Sequence, residues 1–170
     1  MMASEVPLAK VLERFGGKVE LDETATDMPC LLVPPEDLVE LCLFLRDDAE
    51  LQFNFLSDIC GVDFHPEIPR FMLVYHLVSI PNHWRLRLKC RLFDPPAAPT
   101  ITPVWTTANW HEREAYDMYG IIFDGHPDLR RLYMWDEFDG FPMRRDFPLR
   151  GYKDNYNPLG ATRRDGGGGA

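Results

Sequence analysis

The residues of this 170-residue chain best equipped for chemistry are five histidines, four cysteines and the carboxylates of one dense block near the C-terminal third. His111 beside Glu112, and His126 beside Asp128, invite a metal reading. Yet His65, His76, His83, His111 and His126 show neither an HExxH pattern nor the i,i+4 spacing that sets two imidazoles on one helix face. Cys30, Cys42, Cys60 and Cys90 are scattered, with no CxxC pair to signal zinc or an iron–sulfur cluster, and are expected to be buried as small hydrophobes. Glu112, Glu114 and Asp117 could act as general acids or bases. No nucleophile, base and orienter stand together with them, and no GxGxxG or Walker pattern offers a nucleotide site. The expectation is therefore a chain with no catalytic, cofactor-binding or metal-ligating residues of its own.

What the block does offer is pairing. Residues 111–150 hold nine carboxylates and six arginines but no lysine. A planar guanidinium suits fixed, partly buried bonding to carboxylates better than a mobile ammonium does. The block opens with a predicted helix. Asn109 can cap it with Glu112 three residues on, Ala115, Met118, Tyr119 and Ile122 recur at helical spacing, and Gly120 marks its end. Glu112 and Glu114 would then lie in the first turn, where carboxylates complement the helix dipole. Asp124-Gly125 turns the chain, and Pro127, Pro142, Pro148 and Pro158 restrict the residues beyond it to turns and extended pieces. Arg130, Arg131, Arg144, Arg145 and Arg150 alternate with Tyr133, Trp135, Phe138, Phe141, Phe147 and Tyr152. That is the composition of interface hot spots, and these residues are candidates for contact with a partner. The competing reading is a tail packed on its own sheet.

The run ANWHEREAYDMYGIIFDGHPDLRRLYM, followed by FPMRRDFPLRGY, resembles the signature of the C subunit of proton-translocating NADH:quinone oxidoreductase, respiratory complex I. The likeness rests on Trp110, Glu112 to Glu114, Asp117-Met118, Gly120-Ile121, Gly125 to Arg131 and Pro142 to Pro148. Met143 and Arg145 stand where Leu and Lys are usual, keeping size or charge. The resemblance implies an α+β fold and a cofactor-free subunit of the peripheral arm, with NADH, FMN, iron–sulfur clusters and quinone bound by partner subunits. Its partners would be the quinone-site and iron–sulfur subunits, and it would meet the membrane on the cytoplasmic side only through them. The equivalent subunit of a membrane-bound hydrogenase or of another quinone oxidoreductase, and a stand-alone protein-binding module, are the alternatives.

The rest of the chain must position this block. A helix is predicted over 4–15, capped by Ser4 and ended by Gly16-Gly17, then short strands over Lys18 to Leu21 and Cys30 to Val33. A second helix starts at Pro35, with Leu38, Leu41, Cys42 and Leu45 as its core stripe. Leu51, Phe53 and Phe55 alternate with polar residues as a strand does, and Asp58 to Asp63 reads as a loop around Gly61. Residues 71–80 and 83–92 read as a hairpin, whose second strand turns Trp84, Leu86, Leu88, Cys90 and Leu92 to one face and Arg85, Arg87, Lys89 and Arg91 to the other. A Pro-rich connector over 94–103 and a short strand over 104–107 complete the run, and the glycines at 166–169 are expected to be disordered.

These elements imply an α+β two-layer domain with a mixed, mostly antiparallel sheet over residues 1–123, and an extended, partner-binding tail over 124–170. The net charge of −9 argues against nucleic acid, and no apolar run approaches the ~20 residues that span a bilayer. The basic row of the hairpin lacks aromatics on its own face, so a solvated strand or a protein contact is expected there.

Overall fold

A computed structural model describes residues 6–153 and 157–162. Helix α1 spans Leu8–Phe15 and follows Pro7, so the Ser4 cap lies outside the described residues, as do the glycines at 166–169. Strands β1 (Glu20–Leu21) and β2 (Cys30–Leu32) precede a 3-10 turn at Pro35–Asp37 that runs into α2 (Leu38–Asp47). Next come β3 (Phe55–Asp63), β4 (Phe71–Ser79), β5 (Trp84–Leu92), β6 (Ala97–Pro99), α3 (Ala108–Tyr119) and β7 (Ile122–Asp124).

The five-stranded sheet has the order β1-β2-β5-β4-β3, with only β2 and β5 parallel, which makes it mixed and mostly antiparallel as expected. Alternation decides which face is buried. Phe71, Leu73, Tyr75 and Leu77 of β4 join Leu86 and Leu88 of β5 in one core with the apolar sides of the helices. The second layer is thus held by apolar burial worth roughly 1.5–3 kcal/mol per large side chain. On the other sheet face, Arg87 pairs with Asp27, Lys89 with Asp22, and Arg91 stacks over Phe64, so these three side chains of the basic row are engaged by their own chain, while Arg85 is exposed.

Four expectations need correction. Leu51 and Phe53 are buried, but Gln52 between them has φ +46, which breaks the extended backbone and delays the strand to Phe55. Asp58 to Asp63 is strand rather than loop, and its Gly61 serves a close approach: a Cβ there would sit 2.5 Å from a Tyr119 ring carbon of α3. Residues 104–107 are turns, with the Val104 and Trp105 amides both donating to the Ile101 carbonyl. The predicted Pro-rich connector instead supplies β6, which pairs in parallel with β7 beyond α3.

Candidate partner-binding site

Helix α3 begins after Thr107, whose side chain makes no capping bond, two residues before the predicted cap, so Asn109 lies inside it and Glu112 is in the second turn. Helical spacing then puts Arg113 and Asp117 on one face, toward the chain that returns after β7. Asp117 is wholly buried. Its Oδ2 accepts the amides of Leu132, Tyr133 and Met134 at 3.0, 2.7 and 2.9 Å, while Oδ1 accepts Arg131 Nη1 at 2.7 Å. Burial opposes ionisation, but the amides of Met134 and Tyr133, with Arg131, prevail and hold this carboxyl below the usual range. Arg131 also donates to the carbonyls of Phe138 and Gly140, and Arg113 donates to those of Arg130 and Arg131. Residues 130–140 are thereby laid across α3 as a strap.

A second set of bonds continues the strap to β3. Gly120 ends α3 with φ +73, and the Phe141 ring occupies the space where its Cβ would be. Arg144 Nε donates to the Tyr119 carbonyl at 2.7 Å, with its guanidinium 4.6 Å from the Phe141 ring centre and 4.9 Å from that of Phe71. Asp63, at the end of β3, accepts both prongs of Arg70 at 2.9 and 2.8 Å and the amides of His65 and Arg145. Arg70 also reaches Asp146 at 2.8 Å. The guanidinium of Arg70 is the main reason the Asp63 carboxyl lies well below the usual range.

Glu112 has neither of the roles expected for it. It is wholly buried, accepting the Thr100 hydroxyl and the Ile101 amide, with His126 Nε2 3.8 Å away. Burial pushes its carboxyl up to about 7. The folded state therefore keeps a proton that the unfolded chain releases near the ordinary value of 4.5, and stability falls as pH rises from there through 7, by about 3 kcal/mol in all. Gln at 112 can accept the Ile101 amide without ionising. Glu112→Gln is expected to remove this slope and to gain on the native chain between pH 5 and pH 8 in urea unfolding. Parallel pH profiles for the two proteins would contradict the assignment.

Of the eleven candidate contact residues, the structure turns Arg131, Phe138, Phe141, Arg144, Phe147 and Tyr152 inward. Phe147 packs against Phe138 and Tyr152 at ring distances of 5.9 and 5.3 Å. Arg130, Tyr133, Trp135, Arg145 and Arg150 lie on the outside, with Tyr133 61% exposed. Trp110, Met143 and Leu149 are exposed too and were not anticipated; an exposed Trp at a helix start was the available signal. The anchoring role of Asp117 was also missed, although its i,i+4 spacing from Arg113 could have pointed to it. Cys30, Cys42 and Cys90 are buried as expected, whereas Cys60 is exposed.

Among the described residues, no helix is long and apolar enough to cross a membrane. Residues 31–153 match the family described as respiratory-chain NADH dehydrogenase, 30 Kd subunit. A protein of Rhizobium etli (strain CIAT 652), named as a C subunit of NADH-quinone oxidoreductase, is 64% identical over 153 residues, covering 90% of this chain and 82% of the relative. The C subunit of NADH-quinone oxidoreductase from Burkholderia multivorans (strain ATCC 17616 / 249) is 43% identical over 92% of this chain and 84% of its own length. In fold, the chain is similar to one from the membrane-bound sulfane sulfur reductase, an archaeal respiratory membrane complex, with TM-score 0.69, 24% identity and 84% of each chain covered.

Proposed function

The chain belongs to the respiratory-chain NADH dehydrogenase 30 Kd subunit family, and on that premise we propose that it is a structural subunit of the peripheral arm of an NADH-quinone oxidoreductase. In this role it carries no cofactor. NADH, FMN, iron–sulfur clusters and quinone are held by partner subunits, and the chain meets the membrane on its cytoplasmic side through them. The names of the curated relatives favour this over a hydrogenase subunit or a free-standing binding module.

One observation supports an assembly role most directly. The block spends its buried charges on holding itself in shape and leaves large apolar side chains outside, including Tyr133, Met143 and Leu149. Rigid aromatic anchors on a preorganised strap lose little conformational entropy on docking. Residues 124–170 are thus the proposed partner-binding segment, with Arg130, Tyr133, Trp135, Arg145 and Arg150 facing outward for the quinone-site and iron–sulfur subunits.

The double variant Tyr133→Ala, Leu149→Ala tests the reading. Both positions are exposed, so the isolated chain should keep its stability within about 0.5 kcal/mol. Loss of contacts of hot-spot quality, about 2 kcal/mol, should weaken incorporation ~30-fold in a reconstitution assay. NADH-dependent quinone reduction per assembled complex should be unchanged. Normal incorporation would remove these residues from the interface, and lost turnover in complexes that assemble normally would give the strap a part in the reaction.

A further inference from the structure

Away from the strap, on the outer face of the sheet, β3 and β4 bring three different metal-ligand types together. Asp58 and Cys60 are two apart on β3 and share that face, and Asp58 is paired in register with His76 of β4. One ligand atom from each of Asp58, Cys60 and His76 lies within 4.8 Å of the others. Cys60 and His76 also line an open concavity with Val62, Met72 and Val74, which gives an ion access from solvent. We propose that Asp58, Cys60 and His76 form a binding site for a divalent transition metal of the zinc type, a site the spacing of Cys and His in the sequence did not signal.

The donor set fits such an ion. A thiolate, an imidazole and a carboxylate are three ligands zinc accepts in tetrahedral geometry, with water free to take the fourth position. A hard cation such as magnesium or calcium would instead favour oxygen donors alone. The Cys60 thiol, pushed up to about 12 by burial and by its bond to Asp58, donates to Asp58 Oδ2 at 2.6 Å, and metal entry replaces that proton with a metal–sulfur bond while releasing it to solvent. His76 supplies the imidazole from β4. Its Nε2 accepts a hydrogen bond from Arg87 Nε at 3.1 Å. Arg87 retains two bonds to Asp27 when a metal takes over that lone pair.

The surroundings also supply an orienting partner. His111 of α3 places Nδ1 3.3 Å from Asp58 Oδ1, leaving the other carboxylate oxygen toward Cys60. This is the arrangement in which a neighbour fixes a ligating group without touching the metal. His111 is therefore a positioning residue, and through it the ion would tie the start of α3 to the two strands.

Titration of the metal-free full chain with Co2+ tests the site, because cobalt substitutes for zinc and reports a thiolate ligand by its charge-transfer band. One equivalent should raise that band, and Zn2+ should displace it. Cys60→Ser should abolish the band, His76→Ala should weaken binding at least 100-fold, and His111→Ala should weaken it about 10–100-fold while leaving the band in place at saturation. Circular dichroism of each variant checks the fold, and the native chain alone already decides whether a thiolate ligates. Absence of the band, or equal binding by the native chain and Cys60→Ser, overturns the proposal.

Discussion

Asp117→Ala is expected to destabilise the chain by about 3–5 kcal/mol, among the largest effects of any single substitution in it. The carboxylate is wholly buried and accepts three amides and one guanidinium. Removing it strands the Arg131 charge, 13% exposed at its side chain, and orphans the amides of 132–134 at one stroke. Asp117→Asn keeps an acceptor for the amides but loses the ionic bond, so it should fall between the two. Urea unfolding measures the loss, and limited trypsin digestion should show cleavage at Arg130 and Arg131 appearing in Ala before Asn. A loss below about 1 kcal/mol for Asp117→Ala would mean the strap is held by its aromatic contacts instead.

Asp63→Ala should cost about 3 kcal/mol, less than Asp117→Ala because Asp146 stays beside Arg70. Its effect should also be more local. The amides of His65 and Arg145 lose their acceptor together, freeing the β3–β4 connection and the far end of the strap. Hydrogen exchange should quicken around 64–70 and 143–147 while the amides of 132–134 stay protected; uniform acceleration along the chain would contradict this separation. Acid gives an independent check. Both Asp63 and Asp117 have depressed folded pKa values, so their contribution is full above the ordinary aspartate value and drains as pH falls through the folded ones. Glu112 pulls the other way above 4.5. Stability from these three carboxylates should peak between about pH 4 and 5.

The legible parts of the fold were those whose periodicity had one explanation. Leu86, Leu88, Cys90 and Leu92 against Arg85, Arg87, Lys89 and Arg91 admitted no structure but a half-buried strand, and Leu38, Leu41, Cys42 and Leu45 no structure but a helix. Strand β3 was misread because Gly61 carries the same letter whether it permits a turn or admits a neighbouring ring, and only α3, more than forty residues later, distinguishes the two. Glu112 misled for a related reason. A carboxylate near a helix start suits the dipole, and nothing local announces that Thr100 and Ile101 will bury it. The richness of the 111–150 block in Arg and aromatics was visible at once. Which of those residues face inward depended on Asp117 and Asp63, carboxylates that composition alone does not rank above the rest.

The bond from Asp63 to the Arg145 amide joins positions 82 apart in the chain. During synthesis the sheet and α3 can form while the strap is still being made, but Phe141, Arg144 and Arg145 can close on them only after they too have left the ribosome. Until then Met143 has no fixed arrangement to present, although Tyr133 can already be held by Asp117. A partner that recognised the closed strap would consequently select copies in which both ends of the strap had closed, because misfolded copies lack that shape.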